Sequence, residues 1–132
     1  MKELNTIGLD QEKAENLAKK LNTLLSNYSI FYQNTRGFHW NIQGEKFFEL
    51  HLKFEEIYND LLLKIDEIAE RILTLGYTPE HRYTEYSKSS TIKESDKVTD
   101  GHTAVAQILD SLKIVIVMQR AILELANDAN DE

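Results

Sequence analysis

The chain has 132 residues, of which 42% are hydrophobic and 28% charged, with a formal net charge of −7. That length fits one domain with an ordinary core, and the acidic balance works against nucleic acid as a default partner. The absence of cysteine excludes disulfides, thiolate metal sites and cysteine nucleophiles. Any metal chemistry must therefore run on His and carboxylates, which suit iron, manganese or zinc.

Five Gly and one Pro leave few turns, which favours helices over sheets. The N-terminal stretch lacks the apolar core of a secretory signal, and no apolar run approaches the roughly 18 residues that span a membrane. The expected location is the cytoplasm.

In a first helical segment from about Asp10 to about Asn41, the residues Leu9, Leu17, Leu21, Leu24, Leu25, Tyr28, Phe31 and Tyr32 recur at steps of three and four. That is the period of an amphipathic helix, and Asp10 can cap it. Gly37 interrupts the pattern late, at a cost of about 1 kcal/mol against Ala, and is expected to mark a close approach by another helix. A second helix is expected between Gly44 and Gly76. Phe47, Leu50, Phe54, Tyr58, Leu61, Ile65, Ile68, Ile72 and Leu75 alternate steps of three and four, which suits a bundle with small crossing angles. Gly76 stands where a left-handed C-terminal cap belongs, and Pro79 forbids continuation.

Residues 77–98 have no strong period and are too long for a tight helix–helix turn. They are expected to cross over down the side of a bundle, with one short helix near 83–87. A crossover of that kind makes its flanking long helices parallel. A third long helix is expected from Thr99 or Asp100 to about Asn127. Val105, Ile108, Leu109, Leu112, Val115, Ile116, Met118, Ile122, Leu123 and Leu125 make it strongly apolar. The fold class is thus all-α, a helical bundle in one domain over 1–132. Three long helices leave a four-helix bundle one partner short, with the apolar stripe of the last helix uncovered.

The second helix carries its heteroatoms on a narrow stripe. His51, Glu55, Asp66 and Glu70 fall within roughly 100° of one another around the axis. One straight helix cannot gather them, because the two pairs are about 22 Å apart at 1.5 Å per residue. The pairs could serve separate sites, or be ordinary surface charges, or meet across two copies of the helix. In the last case the copies lie antiparallel about a two-fold axis near residue 60, so that His51 and Glu55 of one face Asp66 and Glu70 of the other. His39, one of four histidines, ends the first helix, and a hairpin can bring it near His51. A buried imidazole bonded to a backbone carbonyl would leave the same trace. Trp40, the single Trp, is a candidate electron donor beside a redox metal, although amphipathic packing is the commoner use of such a ring. Tyr58 divides the same way.

The run Phe38, His39, Trp40, Asn41 and Ile42, then Gly44, Phe47, Phe48 and His51, resembles the Dps family, the DNA-binding proteins from starved cells, or miniferritins. So do Ile65, Asp66, Glu67, Ile68, Ala69, Glu70, Arg71 and Ile72 with Leu75 and Gly76. The likeness covers about residues 10–127. It implies a four-helix, ferritin-like subunit in a hollow shell of twelve, with two ferroxidase centres at each two-fold interface. Two histidines and a carboxylate come from one subunit, an Asp and a Glu from its partner. Those positions fall on His39, His51 and Glu55, then Asp66 and Glu70. The implied activity is oxidation of Fe(II), typically by hydrogen peroxide, with the ferric product stored as mineral in the cavity, which prevents hydroxyl-radical formation.

Two departures stand out. The family usually has Asp where this chain has Glu55, one methylene longer. The chain also stops where the family's fourth helix begins. The family's other role, DNA binding, often relies on a basic tail; here Lys2 and Lys13 sit among acids, so direct DNA binding is not expected. The alternatives to an iron-storing ferroxidase are a non-catalytic helical oligomerisation module and a DNA-compaction protein. Asp128 and Asp131 are candidate iron guides, but an ordinary acidic terminus looks the same.

Overall fold

Asp10 opens the first helix as expected, its side chain accepting from the amide of Lys13 at 3.2 Å. The structure, a computed structural model, describes residues 10–128; Lys2, Leu9 and Asp131 lie outside them. Helix α1 is Gln11–Asn41. Its apolar stripe is the centre of the molecule: Leu17, Leu21, Leu24, Leu25, Tyr28 and Phe31 are all buried. The other helices pack on α1 far more than on one another.

Helix α2 is Phe47–Thr74, with Phe54, Leu61, Ile68 and Ile72 buried against α1. Phe54 is 1% exposed, and burying such a ring contributes about 2–3 kcal/mol. Its edge contact with Phe38, centroids 6.1 Å apart, joins the two helices near the end of α1. Gly37 does not mark a close helix approach, contrary to expectation: a methyl added there would meet nothing within 4 Å. The adjacent Phe38 turns to α2 instead, and Gly37 faces an open cavity of about 590 Å³ beside Trp40 and Tyr83.

Gly76 ends α2 as expected, at φ +90°. Its amide donates to the carbonyl of Leu73 at 2.9 Å and that of Tyr77 to Ile72 at 3.1 Å. These are the two crossed bonds of a Schellman cap, and they need a residue that tolerates positive φ.

The aperiodic segment that follows contains helix α3, Tyr83–Ser89. Three asparagines of α1 hold it by its backbone. Asn22 donates to the carbonyl of Thr78 at 3.2 Å and accepts from the amide of Glu80 at 2.8 Å. Asn27 accepts from the amides of Thr91 and Ile92 at 3.1 and 3.0 Å. Asn34 donates to the carbonyl of Lys93 and accepts from the amide of Ser95, both at 2.9 Å. Such amide pairs satisfy backbone groups that neither helix nor sheet provides for.

Glu80 clamps the entry to α3. The Arg82 guanidinium, with hydrogen bonds at 2.8 and 3.0 Å, and then the amides of Arg82 and His81 hold its carboxyl at about 2, against an ordinary 4.5. A lowered carboxyl favours the folded state above the unfolded value and loses that advantage as pH falls through the folded one. Glu80→Gln is therefore expected to lower the melting temperature at neutral pH and to converge with the unsubstituted chain as pH falls from about 5 to about 2. Parallel thermal melts across that range check it.

Helix α4 is Gly101–Asp128. Asp100 caps it, accepting from the amide and hydroxyl of Thr103, both at 2.9 Å. The amide of Gln43, after α1, donates to the carbonyl of Thr99, and Lys13 at the start of α1 donates to the carbonyl of Asp128 at 3.1 Å. Thus α4 runs antiparallel to α1. So does α2, and the two flanking helices are parallel, as a crossover requires. Between them lies an apolar groove of about 330 Å³ floored by Leu17, Leu21 and Leu24 and walled by Ile68 and Ile122. Leu109 and Leu123 of α4 stay 60% and 57% exposed. Among the described residues no helix is long and apolar enough to cross a membrane.

Candidate metal centre

The hairpin of α1 and α2 brings His39, His51 and Glu55 together. One ligand atom of each lies within 4.8 Å of the others, the only such group among the described residues. His51 and Glu55 share a face because they are one turn apart on α2. His39 joins them because its helix ends there and the chain doubles back.

The end of α1 also orients both rings. The carbonyl of His39 has no helical partner, since the amide of Gln43 turns to Thr99. The Nδ1–H of His51 donates to that carbonyl at 2.8 Å. In return the Nδ1–H of His39 donates to the carbonyl of His51 at 2.6 Å. A carbonyl oxygen can only accept, so both rings carry a proton on Nδ1, and in the neutral imidazole Nε2 is then the nitrogen with the lone pair. The rings stack at 3.7 Å and 17°. Phe47 stacks on the far face of His51 at 5.0 Å, and Tyr58 stands edge-on to His39 at 5.3 Å. Each imidazole is thus held by a backbone bond and by rings on its flanks.

The Nε2 of His39 faces Oε1 of Glu55 at 3.7 Å, too far for a hydrogen bond. A neutral imidazole and a carboxylate across such a gap are two acceptors complementary to a cation. Donors at about 2.1 Å from one ion are about 3.0–3.4 Å apart, so a shift of a few tenths of an ångström by Glu55 would seat one. The extra methylene of Glu55 supplies that freedom, and its side chain is 46% exposed whereas that of His39 is 8% exposed. The site is therefore closed by protein on the histidine side and open on the carboxylate side.

Asp66 and Glu70 do not join this group within one protomer. Both are exposed on α2, and the unbroken helix keeps them about 22 Å along its axis from His51 and Glu55. Trp40 is 55% exposed, and the Arg36 guanidinium lies over its ring at 4.7 Å. Sequence reasoning missed Phe47 as a brace of the histidines, although its place one turn before His51 on the same face was the available signal.

The model of the ferritin-like domain family matches residues 18–132. A crystal structure of a Dps protein from Vibrio cholerae O1, described as a member of a broad superfamily of ferritin-like diiron-carboxylate proteins, superposes with a TM-score of 0.94 at 54% identity. That match covers 96% of this chain and 80% of the other. The DNA protection during starvation protein of Porphyromonas gingivalis is 43% identical over 129 residues, 98% of this chain and 81% of its own. An uncharacterized protein of Haemophilus influenzae is 53% identical over 127 residues, 96% of this chain and 79% of its own. Agreement of this level and extent, in side chains as well as in backbone, reflects common descent rather than a bundle reached independently, and the chain belongs to the Dps family of ferritin-like proteins.

Proposed function

We propose that this protein is a cytoplasmic ferroxidase that oxidises Fe(II), preferentially with hydrogen peroxide, and stores the ferric product. The reading rests on one observation: two imidazoles, each locked through Nδ1 by the other's backbone carbonyl, stand within 4.8 Å of each other and of a half-exposed carboxylate. Metal ligands held ready by outer hydrogen bonds of this kind are what a metal centre requires. Imidazole and carboxylate together suit iron.

Iron is here the substrate. His39, His51 and Glu55 bind one Fe(II), and few protein donors leave positions for peroxide and water. A second copy of the chain, antiparallel across α2, brings Asp66 and Glu70 to the open side of the site. Added carboxylates favour the ferric over the ferrous ion, which drives oxidation. Two Fe(II) give one electron each to hydrogen peroxide, and with two protons the products are two Fe(III) and two waters. The family's shell of twelve would then retain the ferric mineral. Protection of DNA, named for the Porphyromonas gingivalis relative, needs no contact with DNA on this reading. Consuming Fe(II) and peroxide together removes the source of hydroxyl radicals, and a net charge of −7 opposes direct binding.

The test is stoichiometry. Metal-free protein loaded anaerobically with Fe(II) and then given peroxide should oxidise about two iron ions per peroxide, with little hydroxyl-radical spin adduct. A one-to-one ratio, with adduct equal to that of Fe(II) in buffer, would remove the ferroxidase reading.

A further inference from the structure

The row of rings at the centre does not stop at the histidines. Tyr58 stands edge-on to His39, centroids 5.3 Å apart and planes at 77°. Tyr32 stands edge-on to Tyr58 at 5.8 Å and 87°. Both tyrosines are partly buried, and Tyr32 lines the large cavity beside α3. A line of rings therefore leads from the candidate metal centre, through two oxidisable phenols, to an open surface. Packing alone accounts for rings in contact, but aliphatic side chains would fill the same space without placing a redox-active group against a metal ligand.

We propose that Tyr58 is the second-electron donor of the centre, with Tyr32 next in line. This rests on the ferroxidase reading. When peroxide meets a centre holding a single Fe(II), iron supplies one electron and cleavage of the O–O bond needs two. Tyr58 supplies the other through the His39 ring, and its phenolic proton leaves with it. Fe(II), H2O2 and the phenol become Fe(III), one hydroxide, one water and the Tyr58 phenoxyl radical, so no hydroxyl radical is released. A later Fe(II) and a proton return the phenoxyl to phenol, and the sum is again two Fe(II) per peroxide.

Trp40 is the rival donor, beside His39 in sequence. Its indole is 55% exposed, and the positive charge of Arg36 lies over its face at 4.7 Å. That charge is attracted by the neutral ring and repelled by the radical cation that indole oxidation first forms. A phenol sheds its proton on oxidation and escapes the repulsion, so the charge of Arg36, 5.5 Å over the ring of Tyr32, does not block the tyrosine route.

The experiment compares the assembled protein with its Tyr58→Phe and Trp40→Phe variants at less than one Fe(II) per centre, with peroxide in excess. Freeze-quenched paramagnetic resonance should show a tyrosyl signal that persists in Trp40→Phe and vanishes in Tyr58→Phe. Hydroxyl-radical spin adducts should rise several-fold in Tyr58→Phe. A signal that survives Tyr58→Phe, one that disappears in Trp40→Phe instead, or equal adduct yields would overturn the assignment. The unsubstituted protein at saturating Fe(II) serves as the separate check. Two irons per peroxide there, with no Tyr58-dependent radical at less than one Fe(II) per centre, removes the donor alone; no peroxide consumption removes the ferroxidase reading and the donor with it.

Discussion

Co-expressed His51→Ala and Asp66→Ala chains are expected to oxidise Fe(II) where neither variant does so alone. In the proposed shared centre each single substitution would remove a ligand from both centres of a two-fold pair, and the rate should fall on the order of 100-fold, as loss of metal-site residues commonly gives. In a mixed pair the defects fall together. One centre would combine the altered 51 position of one chain with the altered 66 position of the other. The second would take His39, His51 and Glu55 from the Asp66→Ala chain, and Asp66 and Glu70 from the His51→Ala chain. All five would be native. Pairs forced to be mixed should recover about half of the native centres, and random pairing about a quarter, by the symmetry of an isologous contact. The initial rate of ferric absorbance measures this directly. If the mixture merely averages the two variants, the centre is not shared between chains. The prediction follows from the helix itself: an unbroken α2 cannot bring residues about 22 Å apart along its axis to one ion.

The second large effect concerns the frame that holds the hairpin. Asn27→Ala should lower stability by about 2 kcal/mol, chiefly from the buried amide of Ile92 losing its acceptor at about 1–3 kcal/mol, with a smaller share from the part-buried amide of Thr91. Asn27 is 0% exposed. Its side-chain oxygen accepts from the amides of Thr91 and Ile92 and from the Ser90 hydroxyl, and its amide group donates to the carbonyl of Thr23 at 2.9 Å. The Ser90 hydroxyl keeps a partner in the carbonyl of Ile92 at 2.7 Å, and the exposed Thr91 can turn its amide to water; the amide of Ile92 is buried. The urea midpoint reads the total, and hydrogen exchange at Thr91 and Ile92 should quicken first. A loss under about 1 kcal/mol would mean that the crossover is held by its apolar contacts, chiefly Ile92, rather than by the asparagine.

Most of the helical frame was legible in the chain. The cap at Asp10, the period of the second helix and the stop at Gly76 follow from rules that act within one or two turns. The parallel course of the long helices on either side of the crossover was legible from its length. The uncovered face of α4 was legible as well, since its apolar stripe is broader than one neighbour can cover, and Leu109 and Leu123 are indeed exposed. His39, His51 and Glu55 could be named because one helical turn and one hairpin bring them close.

Gly37, Asn22, Asn27 and Asn34 show where that legibility ends. Whether a glycine in a helix meets a neighbour depends on which side the neighbour occupies, and here the contact belongs to Phe38. Nothing near the asparagines in the chain marks their role, because the backbone each one holds lies 56 to 65 residues away. The proton positions on the two histidines likewise depend on where carbonyls fall. The carbonyl of His39 is available only because the amide of Gln43 finds Thr99 across the molecule. Period and capping travel with the local chain, so a sequence carries them openly. A hydrogen bond between a side chain and distant backbone exists only once the chain has returned to that place, so its donors and acceptors cannot be matched beforehand.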